Sequence, residues 1–296
     1  MPRRPRFTIA VPTFNRSDVF LPQAVQCILA QSFHDFEVVI SDNGSTDGTE
    51  TFVRSLKDPR IRYLRRNQTL PAGEHFSAIA SEATGEYYVM HQDDDILHNE
   101  FLARANEAFT LHPDAVIYSS PIWRQQHGRG YHSRLMRHRD RHDDLALACD
   151  KPSLLAGEYV AAQLFDPIRQ FLHPTLAIRT SSLREIGGYD PGRLHQTDLT
   201  TQARLLMGGS MVYDPRPGGV SRVHPTNFMR SKGRRFRKAF FHNSYVELIR
   251  VFEDANVAWQ PLLREYLSKL SANEIAECLF EWTYYQAPPA VAEHGF

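Results

Sequence analysis

The chain has 296 residues, of which 42% are hydrophobic and 23% charged, ordinary usage for a soluble globular protein. Its 34 Lys and Arg balance 34 Asp and Glu, so the formal net charge is zero. These figures exclude a wholly disordered chain and lack the basic excess of a dedicated nucleic-acid binder.

The first half alternates strand and helix. Phe7–Val11 reads as a short buried strand bounded by Pro12. Ser17 or Asp18 can cap the next helix, on which Phe20, Ala24, Cys27 and Ile28 make an apolar stripe. Phe36–Ser41 is a second strand, and Thr46 or Asp47 caps a helix carrying Phe52 and Leu56. Ile61–Leu64 is a third strand, and Phe76, Ile79, Ala80 and Ala83 form a helical face. Tyr87–Met90, a helix from Asn99 with Leu102, Ala105 and Phe109, and the strand Ala115–Ser119 follow.

Residues 124–144 break the pattern. They are polar, rich in Arg and His, without apolar period, and read as a long loop. Further on, the pattern predicts a helix near Gly157–Phe165, a strand at Thr175–Arg179 and a Gly187–Asp190 turn. A helix near Thr197–Met207 and a strand at Met211–Tyr213 complete this part. Beyond Pro225 the spacing is helical, with Phe241, Tyr245, Leu248 and Phe252, then Ile275, Cys278, Leu279 and Trp282.

Three cysteines, Cys27, Cys149 and Cys278, lie far apart and suggest neither a disulfide framework nor a metal knuckle. A reducing cytoplasmic setting is expected. The apolar run Phe7–Pro12 is too short for a signal peptide, and no stretch reaches the roughly 18 apolar residues of a membrane span.

Alternating strands and helices imply right-handed crossovers and a mostly parallel sheet covered on both faces. Ligands of such sheets bind outside the carboxyl ends of the strands. Three polar clusters fall there: Pro12–Arg16, Asp42–Ser45 and His91–Asp95. The triplet Asp93-Asp94-Asp95 is the sharpest. Adjacent carboxylates repel unless solvated or neutralised, and their oxygens suit Mg²⁺ or Mn²⁺ with phosphate. A solvated acidic loop is the equally weighted alternative. Asp42–Asp47 reads on its own as an Asn-Gly turn with a helix cap, though Asp42 could accept a uracil imide N–H. No GxGxxG, GxxxxGK[ST] or GxSxG is present, which weakens dehydrogenase, P-loop and hydrolase readings.

In combination, Val11–Arg16, Ser41–Thr49, Ala83–Leu97, Ile186–Asp190 and Thr197–Leu206 resemble the inverting family-2 glycosyltransferases with the GT-A fold, over roughly residues 7–225. The resemblance implies residues 1–225 as the transferase domain, with a nucleotide-binding half over 1–120 and an acceptor half over 121–225. Residues 226–296 would be a helical extension. It implies Pro12, Thr13, Asn15, Arg16 and Asp42 at the nucleoside. The family's DxD motif aligns with Gln92-Asp93-Asp94, so its first Asp is replaced by Gln92. Asp94 becomes the metal ligand, Asp93 the ribose contact and Asp95 a support. The base, usually in a Glu-Asp pair six residues before an Arg, falls on Asp198, with Thr197 in place of Glu and Arg204 following. His224 resembles the late Arg-x-His segment and would complete the metal shell or touch the diphosphate. His173 and His195 are weaker candidates for the acceptor cleft.

The implied activity is metal-dependent transfer of one sugar from a nucleoside-diphosphate donor, UDP first, to an acceptor hydroxyl with inversion. The acceptor would be a glycan, a lipid-linked or a small molecule. The setting would be cytoplasmic, with peripheral membrane contact, and no nucleic acid is called for. Rival readings are a nucleotidyltransferase, whose Gly- and Arg-rich loop VPTFNR lacks, and a non-catalytic sugar or nucleotide binder. An RNA binder acting through the Arg-rich 124–141 region lacks interleaved aromatics.

Overall fold

Strand β1, Phe7–Thr13, is buried along its whole length. It runs two residues further than its composition suggests, through Pro12. A proline cannot donate to a sheet ladder. It is tolerated here because β4 (Tyr87–Met90) pairs with β1 only as far as Ala10, leaving that side open at Pro12. The computed structural model describes residues 4–17, 20–127, 133–137, 149–164, 173–190, 197–224, 227, 246–261, 264 and 268.

The other strands of the main sheet are β2 (Phe36–Asp42), β3 (Ile61–Arg65), β6 (Ala115–Ser119), β9 (Ser153–Leu155), β10 (Leu176–Arg179) and β11 (Ser210–Tyr213). Their order is β3-β2-β1-β4-β10-β6-β11-β9. β3, β2, β1 and β4 are parallel; β10 is antiparallel to both β4 and β6, and β11 is parallel to β6. Six of the eight strands therefore point the same way, and their carboxyl ends share one edge.

Helices cover both faces. α1 (Phe20–Leu29), α2 (Thr49–Ser55) and α4 (Phe101–Leu111) bury Leu21, Val25, Ile28, Val53 and Phe101–Phe109 side chains against Ile9, Val11, Val38 and Ile40. On the other face lie α3 (Ala72–Ser81), α5 (Gly157–Gln163), α6 (Thr180–Glu185) and α7 (Thr197–Met207). With a helix over residues 246–254, they pack on Ala10, Val39, Tyr88 and Met90. At about 25 cal/mol per Å² of apolar surface buried, these two cores drive the fold. Beyond residue 225, Leu248 and Phe252 are buried as their spacing predicts; Phe241, Tyr245 and Ile275–Trp282 lie outside the described residues.

Two expectations are corrected. The stripe on α1 is rotated: the buried residues are Leu21, Ala24, Val25 and Ile28, while Phe20 and Cys27 are half-buried. Residues 124–144 are also not simply loop. β7 (Ile122–His127) and β8 (Ser133–Arg137) form an antiparallel hairpin. The hairpin belongs to a second sheet of order β5-β12-β7-β8, with β5 at Ile96–Leu97 and β12 at Gly219–Val223. Backbone pairing with β12, remote in sequence, makes strands of a stretch with no apolar period.

Candidate active site

Register brings the first cluster together: Thr13 pairs with Asp42, and Asp42 with Arg65, at the carboxyl tips of three adjacent strands. The chain leaves β1 through Asn15 at φ 54°, a left-handed conformation that Asn tolerates. Asn15 laces two loops. Its N–H donates to Ser45 Oγ at 2.9 Å, and its Oδ1 accepts the Thr46 N–H at 2.9 Å. Asp47 Oδ1 accepts the Thr49 N–H at 3.0 Å at the start of α2, and its Oδ2 accepts from Ser17.

Asp42 is fully buried. Its Oδ1 accepts the Ser45 N–H at 2.7 Å and its Oδ2 the Tyr63 hydroxyl at 2.6 Å, with Arg65 Nε at 3.8 Å. It therefore braces the loop from within. Pro12 and Thr13 are buried, whereas Phe14 is 44% exposed beside them. Asn43 exchanges two hydrogen bonds with the Leu70 backbone, both 2.9 Å, and so fixes the segment leading into α3.

After β4 the carboxylate triplet lies in a turn that the Asp95 N–H closes on the Gln92 carbonyl at 3.2 Å. Asp93 and Asp95 are buried, while Asp94 between them is half-buried. Burial, with the Asp94 charge next, pushes Asp93 up to about 7, against the Thr13 hydroxyl, Arg16 and the Phe14 N–H. Arg16 Nε lies 3.9 Å from Asp93 Oδ1. Burial likewise raises Asp95, whose Oδ1 accepts the Arg222 N–H at 2.8 Å. His91, buried behind them, is lowered by burial to about 4 and stays neutral at neutral pH.

β12 delivers the remaining groups. Arg222, only 4% exposed, donates from Nε to the Asp94 carbonyl, from Nη1 to Gln23 and from Nη2 to the Phe20 carbonyl. It thus ties β12 to the triplet and to α1. His224 Nε2 lies 3.0 Å from Asp94 Oδ2. Phe20 stacks on the His224 ring with centroids 4.1 Å apart, and the Arg222 guanidinium lies 4.9 Å from the centre of the Phe20 ring. This is why Phe20 leaves the α1 core stripe. Burial lowers the His224 pKa, against the pull of Asp94.

Asp198 is half-buried in the first turn of α7, where the helix dipole favours an anion. Its Oδ1 accepts the Leu199 N–H at 3.0 Å, and its charge helps raise Tyr189 after burial does. The side chains of Thr197 and His173, and all of His195, lie outside the described residues.

Among the described residues no three His, Cys, Asp or Glu side chains make a complete metal cage. Asp94 and His224 nevertheless fit a divalent cation. They supply one oxygen and one nitrogen 3.0 Å apart, and Mg²⁺ is usually held by one or two protein ligands with phosphate and water completing its shell. Asp95 does not join them, since it turns toward the Arg222 backbone. Sequence reading gave no site role to Phe14, Phe20 or Asn227, and took Arg222 only as the Arg of the Arg-x-His segment that ends at His224. The exposed aromatic in VPTFNR was a usable signal for Phe14; nothing local marked Asn227.

The chain matches the family described as Glycosyl transferase family 2 over residues 8–187. It is 35% identical over 112 residues to a GalNAc(5)-diNAcBac-PP-undecaprenol beta-1,3-glucosyltransferase of Campylobacter jejuni, a match covering 36% of each protein. It is 36% identical over 101 residues to abequosyltransferase RfbV of Salmonella typhimurium, covering 32% of this chain and 30% of that one. These matches span only about a third of the curated relatives. Solved structures of the same fold include two with bound nucleotide-sugars. Staphylococcus aureus TarS 1–349 in complex with UDP-GlcNAc has TM-score 0.66 and 15% identity, covering 93% of this chain and 79% of that one. Mannosyltransferase PcManGT from Pyrobaculum calidifontis, in complex with GDP-Man and Mn²⁺, has TM-score 0.64 and 19% identity, covering 97% and 82%.

Proposed function

The chain belongs to glycosyl transferase family 2, and on that premise we propose that it is a metal-dependent inverting glycosyltransferase. It moves a sugar from a nucleoside-diphosphate donor, UDP first, to an acceptor hydroxyl in glycan or glycoconjugate synthesis. The observation that carries this reading is the Asp94–His224 pair, 3.0 Å apart, at the carboxyl edge of the parallel sheet. Neighbours of the same fold in complex with UDP-GlcNAc and with GDP-Man and Mn²⁺ support a nucleotide-sugar and a divalent cation.

Pro12, Thr13, Asn15, Arg16 and Asp93 line the nucleotide side, and Asp42 holds their loop from beneath. Phe14, exposed beside them, offers a face for the base. Asp94 and His224 hold the cation, with Asp95 acting behind them through Arg222. When bound there, Mg²⁺ or Mn²⁺ supplies charge neutralisation to the departing diphosphate. Asp198 takes the acceptor proton. As that proton moves to its carboxylate, the acceptor oxygen forms a bond to the anomeric carbon and the bond to the diphosphate breaks. Attack from the face opposite the leaving group inverts the centre.

Residues 1–225 form the transferase unit, with the nucleotide half over 1–120 and the acceptor half over 121–225, and 226–296 a helical extension. A lipid-linked acceptor, reached by peripheral contact with a membrane, is supported by the relative named for an undecaprenol substrate. Among the described residues no helix is long and apolar enough to cross a membrane.

Calorimetric titration with UDP, with and without Mn²⁺, tests the core of this reading. Mn²⁺ should tighten UDP binding in the wild type and have no such effect in Asp94→Asn. Equal UDP affinity with Mn²⁺ and with chelator in the wild type would remove the metal from the proposal.

A further inference from the structure

Asp94 and His224 sit 130 residues apart in sequence, yet lie 3.0 Å from each other, because Asp94 leads into β5 and His224 leaves β12, its antiparallel neighbour in the second sheet. Asn227, three residues past His224, touches both. Its Oδ1 accepts the His224 backbone N–H at 2.6 Å. Its Nδ2 donates to Asp94 Oδ2 at 2.7 Å and to the Arg222 carbonyl at 3.2 Å. The same nitrogen lies 3.0 Å from His224 Nε2.

Asp94 Oδ2, His224 Nε2 and Asn227 Nδ2 therefore form a close triangle. The two amide hydrogens of Asn227 go to Asp94 Oδ2 and the Arg222 carbonyl, so its approach to His224 Nε2 is a contact and not a third hydrogen bond. With a cation shared by Asp94 and His224, both would present lone pairs to the metal, while Asn227 keeps its N–H on the carboxylate. Ligating carboxylates are generally held by such outer hydrogen bonds.

We propose that Asn227 is a positioning residue that ties Asp94 to the His224 backbone and presents the two as a preformed pair for a divalent cation. The proposal rests on the reading of Asp94 and His224 as metal ligands, and Asn227 itself does not touch the metal. It assigns a function to the segment just beyond β12, where a single amide fixes the spacing of two ligands from segments far apart in sequence.

The test is Mn²⁺ affinity of the full chain at saturating UDP, measured by calorimetry and by the EPR signal of free Mn²⁺. Asn227→Ala should weaken Mn²⁺ binding about 10–100-fold, the usual cost of losing an outer-shell partner. UDP affinity in chelator and the thermal midpoint should stay at wild-type values. Asn227→Ser, whose hydroxyl is too short to span both partners, should weaken Mn²⁺ in the same way and stands in if the alanine variant folds poorly. If Asn227 merely filled the cation's place, its removal would tighten Mn²⁺. Tightened or unchanged affinity, with binding lost in Asp94→Asn, overturns the role of Asn227 and leaves the metal reading standing. Wild-type Mn²⁺ affinity in Asp94→Asn, or no Mn²⁺ binding by the wild type, overturns the metal reading itself.

Discussion

Single residues here do different work from what their chemistry alone suggests. Asp42, Asp93 and Asp95 are buried carboxylates that brace the loops and β12, leaving Asp94 as the half-buried one. Asp198 is the residue on which turnover should depend. Asp198→Asn keeps the shape but cannot take a proton near neutral pH. Transfer should fall about 10²–10⁴-fold, with UDP affinity in Mn²⁺ unchanged, in a steady-state assay against a calorimetric control. Near-wild-type turnover would release Asp198 from the role of base. His75 affords a stability test. It is buried, with Nε2 2.8 Å from Ser41 Oγ, and burial, then Arg66, lowers it from 6.5 to about 4. Between those values the unfolded chain binds the proton and the native one does not, so stability falls as pH drops from about 6.5 toward 4. At pH 5 His75 should account for roughly 2 kcal/mol of that loss. His75→Gln should therefore lose less stability than wild type between pH 7.5 and 5 in urea unfolding. Equal losses would mean that His75 is not the sensor.

Among the elements, β12 matters out of proportion to its five residues. It joins the second sheet, carries Arg222 and leads directly to His224 and Asn227. Its entry is sterically tight. A Cβ on Gly219 would lie 2.5 Å from the Ile96 carbonyl oxygen, a backbone atom that cannot step aside. Gly219→Ala should force β5 and β12 apart and destabilise the fold by about 1–3 kcal/mol, the usual cost of overpacking. Mn²⁺ affinity should fall with it, because Arg222 and His224 would shift relative to Asp94. An unchanged urea midpoint together with unchanged Mn²⁺ affinity would show that β12 is not under this constraint. None of this was legible in Gly219–Val223, whose residues have neither a clear alternation nor a long apolar run.

At the scale of the whole molecule, the candidate site is assembled from loops of both sheets and one end of α1. A ligand that binds it should therefore stabilise the molecule globally. UDP with Mn²⁺ at a hundredfold excess over Kd should add about 2.7 kcal/mol to unfolding stability, and chelator should remove the metal-dependent part. Hydrogen exchange should slow in residues 91–97 and 219–224 when both are present. A thermal midpoint unmoved by UDP and Mn²⁺ at concentrations where calorimetry shows binding would mean that the site is not coupled to the fold in this way.

What the sequence determined by itself was the main sheet and its working edge. Runs such as Tyr87–Met90 and Ala115–Ser119 are local and apolar, and their strand bounds agree with the structure. The alternation with helices implied parallel strands, so the clusters at Thr13, Asp42 and Asp93–Asp95 had to share an edge. Asp94 and His224 were legible as chemistry because an acidic triplet and a late histidine resemble a known pattern. Only the tertiary structure decided which carboxylate meets His224 and Asn227, because that depends on Arg222 arriving from 128 residues away to occupy the backbone around the triplet. It also decided that Phe20 leaves its core stripe to stack on His224, that the polar stretches 124–127 and 133–137 become strands, and that Asn227 joins Asp94 and His224. Each is a contact between segments far apart in the chain. Local periodicity carries the energetics of burying one face of an element, but not the identity of the partner that the face will meet.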